Sequence, residues 1–390
     1  MKPIYIVSAV RTPIGDFGGA LKDVSPSDLG RLVIEEATRR SGFAPDVVQQ
    51  VVMGQVIPSE PGDAYLARVA AVKAGLSIAA PALTLNRLCG SGLQAVISAA
   101  QGIALGEYDV AIGGGAESMS RSPHVITAAR WGQRMGEAKV LDAMLEVLKD
   151  PFHACHMGVT AENVADLHHV TREEQDEAAA ESHRRAARAI VERRFAEQIV
   201  PVDVKSRKGT VRFDTDEHVR GDVNTAELAA LKPAFRKDGT VTAGNASGLN
   251  DGAAAVVICS ETALASRRPL ARILAWGHAG VEPHLMGLGP VEAVPIALRR
   301  SGLSLDQMDV IESNEAFAAQ ACAVAKLLRL DAEKTNPNGS GISLGHPIGA
   351  TGAILITKAV YELQRVNGRY GLITMCIGGG QGIAMVVERI

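Results

Sequence analysis

No long apolar run occurs in this chain of 390 residues: its hydrophobic stretches are broken by glycine or charge short of the roughly 20 residues that a bilayer-crossing helix needs. A helical membrane protein is not expected. An excess of one charge is also missing. Lys and Arg number 40 against 43 Asp and Glu, a formal net charge of −3, and no basic stripe is interleaved with aromatics, which argues against a nucleic-acid partner. Cysteines are few and odd in number, five in all, so a disulfide scaffold is not expected and a reducing compartment, by default the cytoplasm, is. The opening MKPIYIVSAVRTPIG reads directly as a strand, without the charged leader, apolar core and cleavage site of a signal peptide, so no leader is expected.

Apolar residues and glycine are abundant. With 47% hydrophobic content the chain can bury two good cores, and 40 glycines suit a fold built on tight turns. Three glycine-rich turns carry reactive side chains: Cys89 in NRLCGSG, His346 in GHPIGATG and Cys376 in CIGGGQG. A thiol attacks as its thiolate, so a working cysteine needs a neighbour that removes its proton or stabilises the anion. LTLNRL reads as a strand, and SGLQAVISAAQGIAL, with Leu93, Val96, Ile97, Ala100 and Ile103 at helical spacing, as the helix that follows. Cys89 therefore belongs at a strand-to-helix turn, where unpaired N–H groups and the positive end of the helix dipole favour an anion. Taken alone, a Cys-Gly pair suits a buried structural cysteine better than a catalytic one, and a lone His346 suits a core imidazole.

An internal repeat changes that balance. RRSGFAPDVVQQVVMG from Arg39 matches RRSGLSLDQMDVIESN from Arg299, an offset of 260 residues. Cys89-Gly-Ser-Gly matches His346-Pro-Ile-Gly at 257, and IGGG at Ile112 matches IGGG at Ile377 at 265, which sets Cys376 opposite Ala111. Two copies of one α/β unit, related by approximate twofold symmetry, follow from this pattern. Cys89 and His346 are then expected in equivalent turns that meet across a shared interface, with Cys376 as a second thiol and Asn314, opposite Gly54, as a fourth candidate. Such a set points to thiol-based acyl transfer. VVMGQV and DVIESN are expected as buried strands, and Thr171 to Phe195 as an amphipathic helix opened by a Thr cap and acids and closed by basic residues. His153, Cys155 and His156 form HACH, but no second ligand pair lies nearby, so no metal is expected.

Together NRLCGSG, NEAFAAQ, GHPIGATG and CIGGGQG resemble the thiolase family of acetyl-CoA acyltransferases, over essentially the whole chain. HMGVTAENVA and GTVTAGNASGLNDGAAA are most similar to the bacterial tetrameric β-ketothiolases. The resemblance implies an α/β thiolase fold with two duplicated halves in five layers, α/β/α/β/α. The halves would be residues 1–118 plus 251–270 and residues 271–390, with an inserted loop domain over 119–250 for coenzyme A binding and tetramerisation. It implies ping-pong chemistry in which Cys89, deprotonated by His346, is acylated, and Cys376 then acts as acid and base on the carbon. His346 and a water held by Asn314 would support the enolate, and the N–H groups of Cys89 and Gly378 the tetrahedral oxyanion. Substrates would be acetyl-CoA, acyl-CoA, 3-ketoacyl-CoA and CoA, with no separate cofactor.

The family likeness also assigns coenzyme A contacts to Arg220, His156, Phe235, Ala243, Ser247, Gly248, Leu249, Ala316 and Phe317, and the acyl pocket to Met157 and Met286. Lys205, Arg207, Lys208, Arg212 and Arg236 are further basic candidates for its phosphates. Glu227 stands where related enzymes often carry Ser near the adenine, so that contact is left unassigned. The Arg- and Gly-rich stretch from Ser122 to Val140, with Trp131, corresponds to the region that joins two dimers, which implies a homotetramer. Acetoacetyl-CoA and 3-ketovaleryl-CoA are the expected substrates, in polyhydroxyalkanoate precursor supply or in fatty-acid and ketone catabolism. A degradative medium- or long-chain 3-ketoacyl-CoA thiolase is the rival within the family. A decarboxylating ketoacyl synthase would carry one Cys and two His, a non-catalytic acyl-CoA or lipid carrier would lack a reactive group, and a structural repeat protein would not place such groups in its turns.

Overall fold

The computed structural model describes residues 2–206 and 209–390; Arg207 and Lys208, two of the basic candidates, lie outside the described residues. Runs of Val, Ile and small residues form the main sheet from strands β1 (Ile4–Arg11), β2 (Gln50–Gly54), β3 (Ala82–Leu85), β4 (Val110–Ser118), β5 (Asn250–Ser260), β6 (Ala271–Gly280), β7 (Val310–Ser313), β8 (Tyr370–Ile377) and β9 (Gln381–Arg389). The helices that position the site are α1 (Pro26–Ser41), α2 (Leu66–Lys73), α3 (Ser91–Leu105), α4 (Met157–His168), α5 (Arg172–Val191), α6 (Gly289–Ser301), α7 (Ala318–Leu328) and α8 (Thr351–Arg365). Strands follow the order β7-β8-β9-β6-β1-β5-β4-β2-β3, in which the four strands on either side of the β6–β1 junction correspond and β3 is an extra edge strand of the first half. That correspondence is the duplication expected from the repeat.

Strand register makes the symmetry exact enough to number. Gln50 pairs with Ala111 in the first half and Val310 with Gly371 in the second, so both partners advance by the same 260 residues. Helices α1 and α6 both end on a left-handed glycine, Gly42 and Gly302, and α3 and α8 begin at Ser91 and Thr351, again 260 apart. This single offset corrects two of the sequence matches. Cys89 is the counterpart of Gly349, with His346 entering its loop three residues earlier, and Cys376 lies opposite Ala116 rather than Ala111. The two IGGG strings are a coincidence: Ile112–Gly115 lies inside β4, whereas Ile377–Gly380 closes β8 and turns. Short glycine strings align by composition, while ladder hydrogen bonds fix register.

Burial alternation sorts the strands into layers. In β4, Val110 and Ile112 face the core under α1 and α2, with Leu29, Val33, Ile34 and Ala70, while Ala111 faces α3 and α8. The central core joins Leu93, Val96 and Ile97 of α3 and Leu355, Ile356 and Val360 of α8 to Ile373, Met375, Ile383 and Met385 of the other half-sheet. Helix α6 covers the far side through Ala293, Val294 and Ala297. Among the described residues the half-sheets join where Ile4, Tyr5 and Ile6 pair with Ile273, Arg272 and Ala271. The result is the expected α/β/α/β/α layering. Its central helices approach so closely that a Cβ on Gly92 would lie 2.8 Å from the Ala353 nitrogen, and one on Gly352 would lie 2.2 Å from the Leu93 nitrogen.

The stretch Leu88–Leu105 reaches the mean hydropathy and length of a short membrane span, 1.4 over 18 residues, more than the sequence reading allowed; 72% of it is buried inside the protein as the core helix α3. Helix α5 starts at the Thr171 cap with Glu174 closing a capping box, as expected, but ends at Val191, four residues before Phe195, where Arg193 turns left-handed. The inserted region is seated from two sides. Ala161 and Val164 of α4 pack on Ala319 and Ala323 of α7, and Asp216 forms two hydrogen bonds, of 2.7 and 2.9 Å, to the fully buried Arg11 of β1. Between Ser122 and Val140, the short strand His124–Ile126 pairs with Val140–Asp142 and leaves Trp131 and Met135 exposed.

Gly352→Ala forces a methyl group against the α3 backbone, which cannot swing aside as a side chain could. The expected cost is about 1–3 kcal/mol, read as a lower urea midpoint with an unchanged slope. An unaltered midpoint would mean that the two helices can separate freely.

Candidate active site

Cys89 sits four residues after β3 and two before α3. Its turn is tight: Leu88 takes a left-handed φ of 46°, and Ser91 Oγ accepts from the Arg87 N–H and donates to the Leu88 carbonyl. The amides of Gly378 and of Cys89 itself point at the sulfur and favour its anion. Gly378 packs against Met157 and Leu88: a Cβ there would lie 2.2 Å from Met157 Cε, the end of a flexible side chain that would have to shift. Burial pushes the Cys89 thiol up to about 11, the two amides pull it down, and the buried Glu117 carboxylate adds to the rise.

His346 is also buried. Its Nδ1 lies 2.7 Å from Thr351 Oγ1, whose own hydrogen goes to the Pro347 carbonyl, 3.0 Å away. The hydroxyl therefore accepts from Nδ1–H, which leaves Nε2 as the free basic nitrogen. Among the described residues Nε2 has no hydrogen-bond partner, and neither does the side-chain oxygen or nitrogen of Asn314. Loss of solvation lowers the imidazole to about 4, so the resting pair is a neutral thiol and a neutral base. Cys376 is buried at the end of β8, and its thiol is pushed well up by burial and then by the nearby Cys89 sulfur.

Asn314 lines a small separate hollow with Gly341 and Thr351, whereas the two thiols and His346 share one cavity of about 350 Å³. Cys89, His346 and Cys376 line it together with Met119, Leu145, Leu148, His156, Met157, Ala234, Phe235, Ala243, Ala246, Ser247, Gly248, Leu249, Met286, Ala316, Phe317 and Ile348. All the expected contact residues other than Arg220 are thus brought to it. His156 stacks on Phe235 with centroids 4.6 Å apart, and its Nδ1 accepts from the Gly158 N–H at the start of α4. Burial first and Lys149 second lower its pKa, which keeps it neutral. Arg220 lines a neighbouring cavity of about 240 Å³ with His183, His218, Glu227 and Leu231, and the two cavities share Ala243 and Ala246. Glu227 does lie there, exposed, at the mouth.

Other basic candidates are placed elsewhere. Arg236 is held by Asp166 at 2.8 Å, and Arg212 lines a separate cleft with Glu36 and Asp214. Among the described residues no group of three or more His, Cys, Asp or Glu could hold a metal ion. Sequence reasoning missed Thr351, Asn250, whose Oδ1 accepts from the His346 N–H at 2.8 Å, and Glu117. Thr351 and Asn250 stand within quoted motifs, GHPIGATG and GLNDG, so their proximity was legible; Glu117 carried no signal beyond an acid in an otherwise apolar strand.

A duplicated α/β fold that brings two thiols and the buried His346 imidazole into a single cavity defines an acyltransferase. The chain belongs to the thiolase family: the thiolase N-terminal domain matches residues 4–262 and the thiolase C-terminal domain residues 267–389. It is 63% identical to the β-ketothiolase BktB of Cupriavidus necator over the full length of both chains. The crystal structure of the Bacillus anthracis acetyl-CoA acetyltransferase superposes with a TM-score of 0.98 at 47% identity, covering 100% of this chain and 99% of that one. Human mitochondrial 3-ketoacyl-CoA thiolase in complex with CoA gives 0.97 at 42% identity, covering 100% and 98%.

His346, His183 and His278 are all held near 4 by burial, against 6.5 when free. Between those values the unfolded chain binds protons that the folded chain does not, so stability is present above pH 6.5 and is lost as pH falls towards 4. Thermal melts across that window are expected to show a falling Tm; a flat profile would mean that these imidazoles are charged in the fold.

Proposed function

We propose that this protein is a β-ketothiolase of broad short-chain range, working on acetyl-CoA, short acyl-CoA and 3-ketoacyl-CoA through an acyl group carried on Cys89. The observation that carries the reading is the shared cavity, in which two thiols and the free Nε2 of His346 meet beneath a channel lined by His156, Phe235 and Ser247. In the first stage Nε2 takes the Cys89 proton, and the sulfur attacks the thioester carbonyl. The negative oxygen then faces the Cys89 and Gly378 amides, worth about 3 kcal/mol per donor in comparable sites. The departing coenzyme A sulfur leaves with the Cys376 proton. In the second stage the Cys376 thiolate takes an α-proton from acetyl-CoA, and the enolate oxygen is held by the protonated His346 and a water bound to Asn314. The carbanion attacks the acyl group, the Cys89 sulfur departs, and His346 returns its proton. Thiolysis is the reverse.

The breadth of the range follows from the inner wall. Met157 and Met286 are buried beside Cys376, where flexible thioethers suit an acyl group of several lengths. Arg220 and the neighbouring cavity suit the phosphate and adenine end of coenzyme A, with no separate cofactor or metal required. The exposed apolar side chains Val125, Ile126, Trp131, Met135 and Val140 support the homotetramer, since such a patch calls for a protein partner. A division into 1–118 plus 251–270, 119–250 and 271–390 suits these roles, and a cytoplasmic setting suits the substrates.

Purified enzyme is expected to cleave both acetoacetyl-CoA and 3-ketovaleryl-CoA when coenzyme A is added; cleavage of long-chain substrates alone would favour the degradative rival. Cys89→Ala should abolish the acyl adduct seen by mass spectrometry. Cys376→Ala should still acylate Cys89 slowly from acetyl-CoA while carbon–carbon bond chemistry falls by several orders of magnitude. An adduct on any other residue would refute the assignment of the nucleophile.

A further inference from the structure

The offset of 260 gives each member of the site an image in the opposite half: Cys89 maps to Gly349, His346 to Asn86, Asn314 to Gly54 and Cys376 to Ala116. No thiol or imidazole survives among those images. At the same place, however, lies a fully buried carboxylate, Glu117, near the end of β4. Its Oε2 accepts from the N–H of Val56 and of Gly349, both at 2.9 Å, and its Oε1 from the N–H of Ile57 at 3.1 Å. Gly349 belongs to the loop of the second half that carries His346 and Thr351. Val56 leads to the other loop, because Asn86 Nδ2 donates to its carbonyl at 3.2 Å while Asn86 Oδ1 accepts from the Leu88 N–H at 2.8 Å, one residue before Cys89.

One side chain therefore grips the base loop directly and the nucleophile loop through Val56 and Asn86. Glu117 does not line the substrate cavity, so it is not a group that touches substrate. We propose that Glu117 is a positioning residue for acyl transfer, holding the His346 loop of one half and the Cys89 loop of the other at their working separation by binding the amides of Gly349, Val56 and Ile57. The proposal rests on the assignment of Cys89 and His346 made above. Its physical basis is that three buried amides lose an acceptor together if the carboxylate is altered, and that displacing reacting groups by about 1 Å costs about 100-fold in rate.

Glu117→Gln preserves the size but turns an NH₂ group towards N–H donors. In folded enzyme, kcat for acetoacetyl-CoA thiolysis is expected to fall at least about tenfold while KM for coenzyme A stays within about twofold, and acyl transfer to Cys89 should slow in parallel. A kcat within about twofold of wild type, with only Tm reduced, overturns the proposal, as does a raised KM at unchanged kcat. If that variant does not fold, Gly349→Ala tests the same contact by the same criteria, since its Cβ would lie 2.5 Å from Glu117 Oε2. Wild-type enzyme run alongside keeps the two claims apart. An adduct away from Cys89 in wild type refutes the site assignment, whereas an adduct on Cys89 with an unchanged rate in the variant refutes the role of Glu117.

Discussion

Backbone contact between α3 and α8 is the constraint on which the rest depends. Gly92 and Gly352 remove the side chains that would hold these helices apart, and each helix lies where a Cβ of the other would be. Helices that pass this closely bring their N-terminal loops together as well. Those loops carry Cys89 on one side and His346, Pro347 and Gly349 on the other, so the packing of two glycines decides that a thiol from the first half meets an imidazole from the second. The half-sheets add the outer parts, with β8 delivering Cys376 and the end of β7 delivering Asn314.

Duplication explains the architecture but not the chemistry, which comes from departures from symmetry. At each reactive position the opposite half carries something inert: Gly349 for Cys89, Asn86 for His346, Ala116 for Cys376 and Gly54 for Asn314. Symmetry gives two equivalent places near the axis, and the fold uses one for reaction and fills the other with the Glu117 carboxylate. Three amides solvate this carboxyl in place of water, although burial still pushes it up to about 8 and so favours its neutral form.

The cavity is lined mainly by apolar side chains, and this shapes its chemistry. Cys89 and His346 are both held in their neutral forms by burial, so a thiolate must be generated during the reaction rather than stored beforehand. The amides at Cys89 and Gly378 are fixed by the backbone, and the His346 ring by Thr351. Their fixed geometry matters more in low dielectric than it would in water.

The sequence by itself determined that this is a duplicated α/β protein with reactive groups in glycine turns, because helical periodicity, strand runs and a repeat of 16 residues are local or linear signals. It also carried the family, through four motifs spread along the chain. Only the tertiary structure decided which residues correspond: the matches at 257 and 265 gave way to one offset of 260, since register is set by hydrogen bonds between strands far apart in sequence. Likewise only the fold could separate Arg220, on a cavity that shares Ala243 and Ala246 with the site, from Arg236, bound to Asp166, because a basic side chain looks the same in sequence whether it faces a ligand or an acid. Thr351, Asn250 and Glu117 act by where their polar atoms point, and that direction exists only once the two halves have closed around α3 and α8.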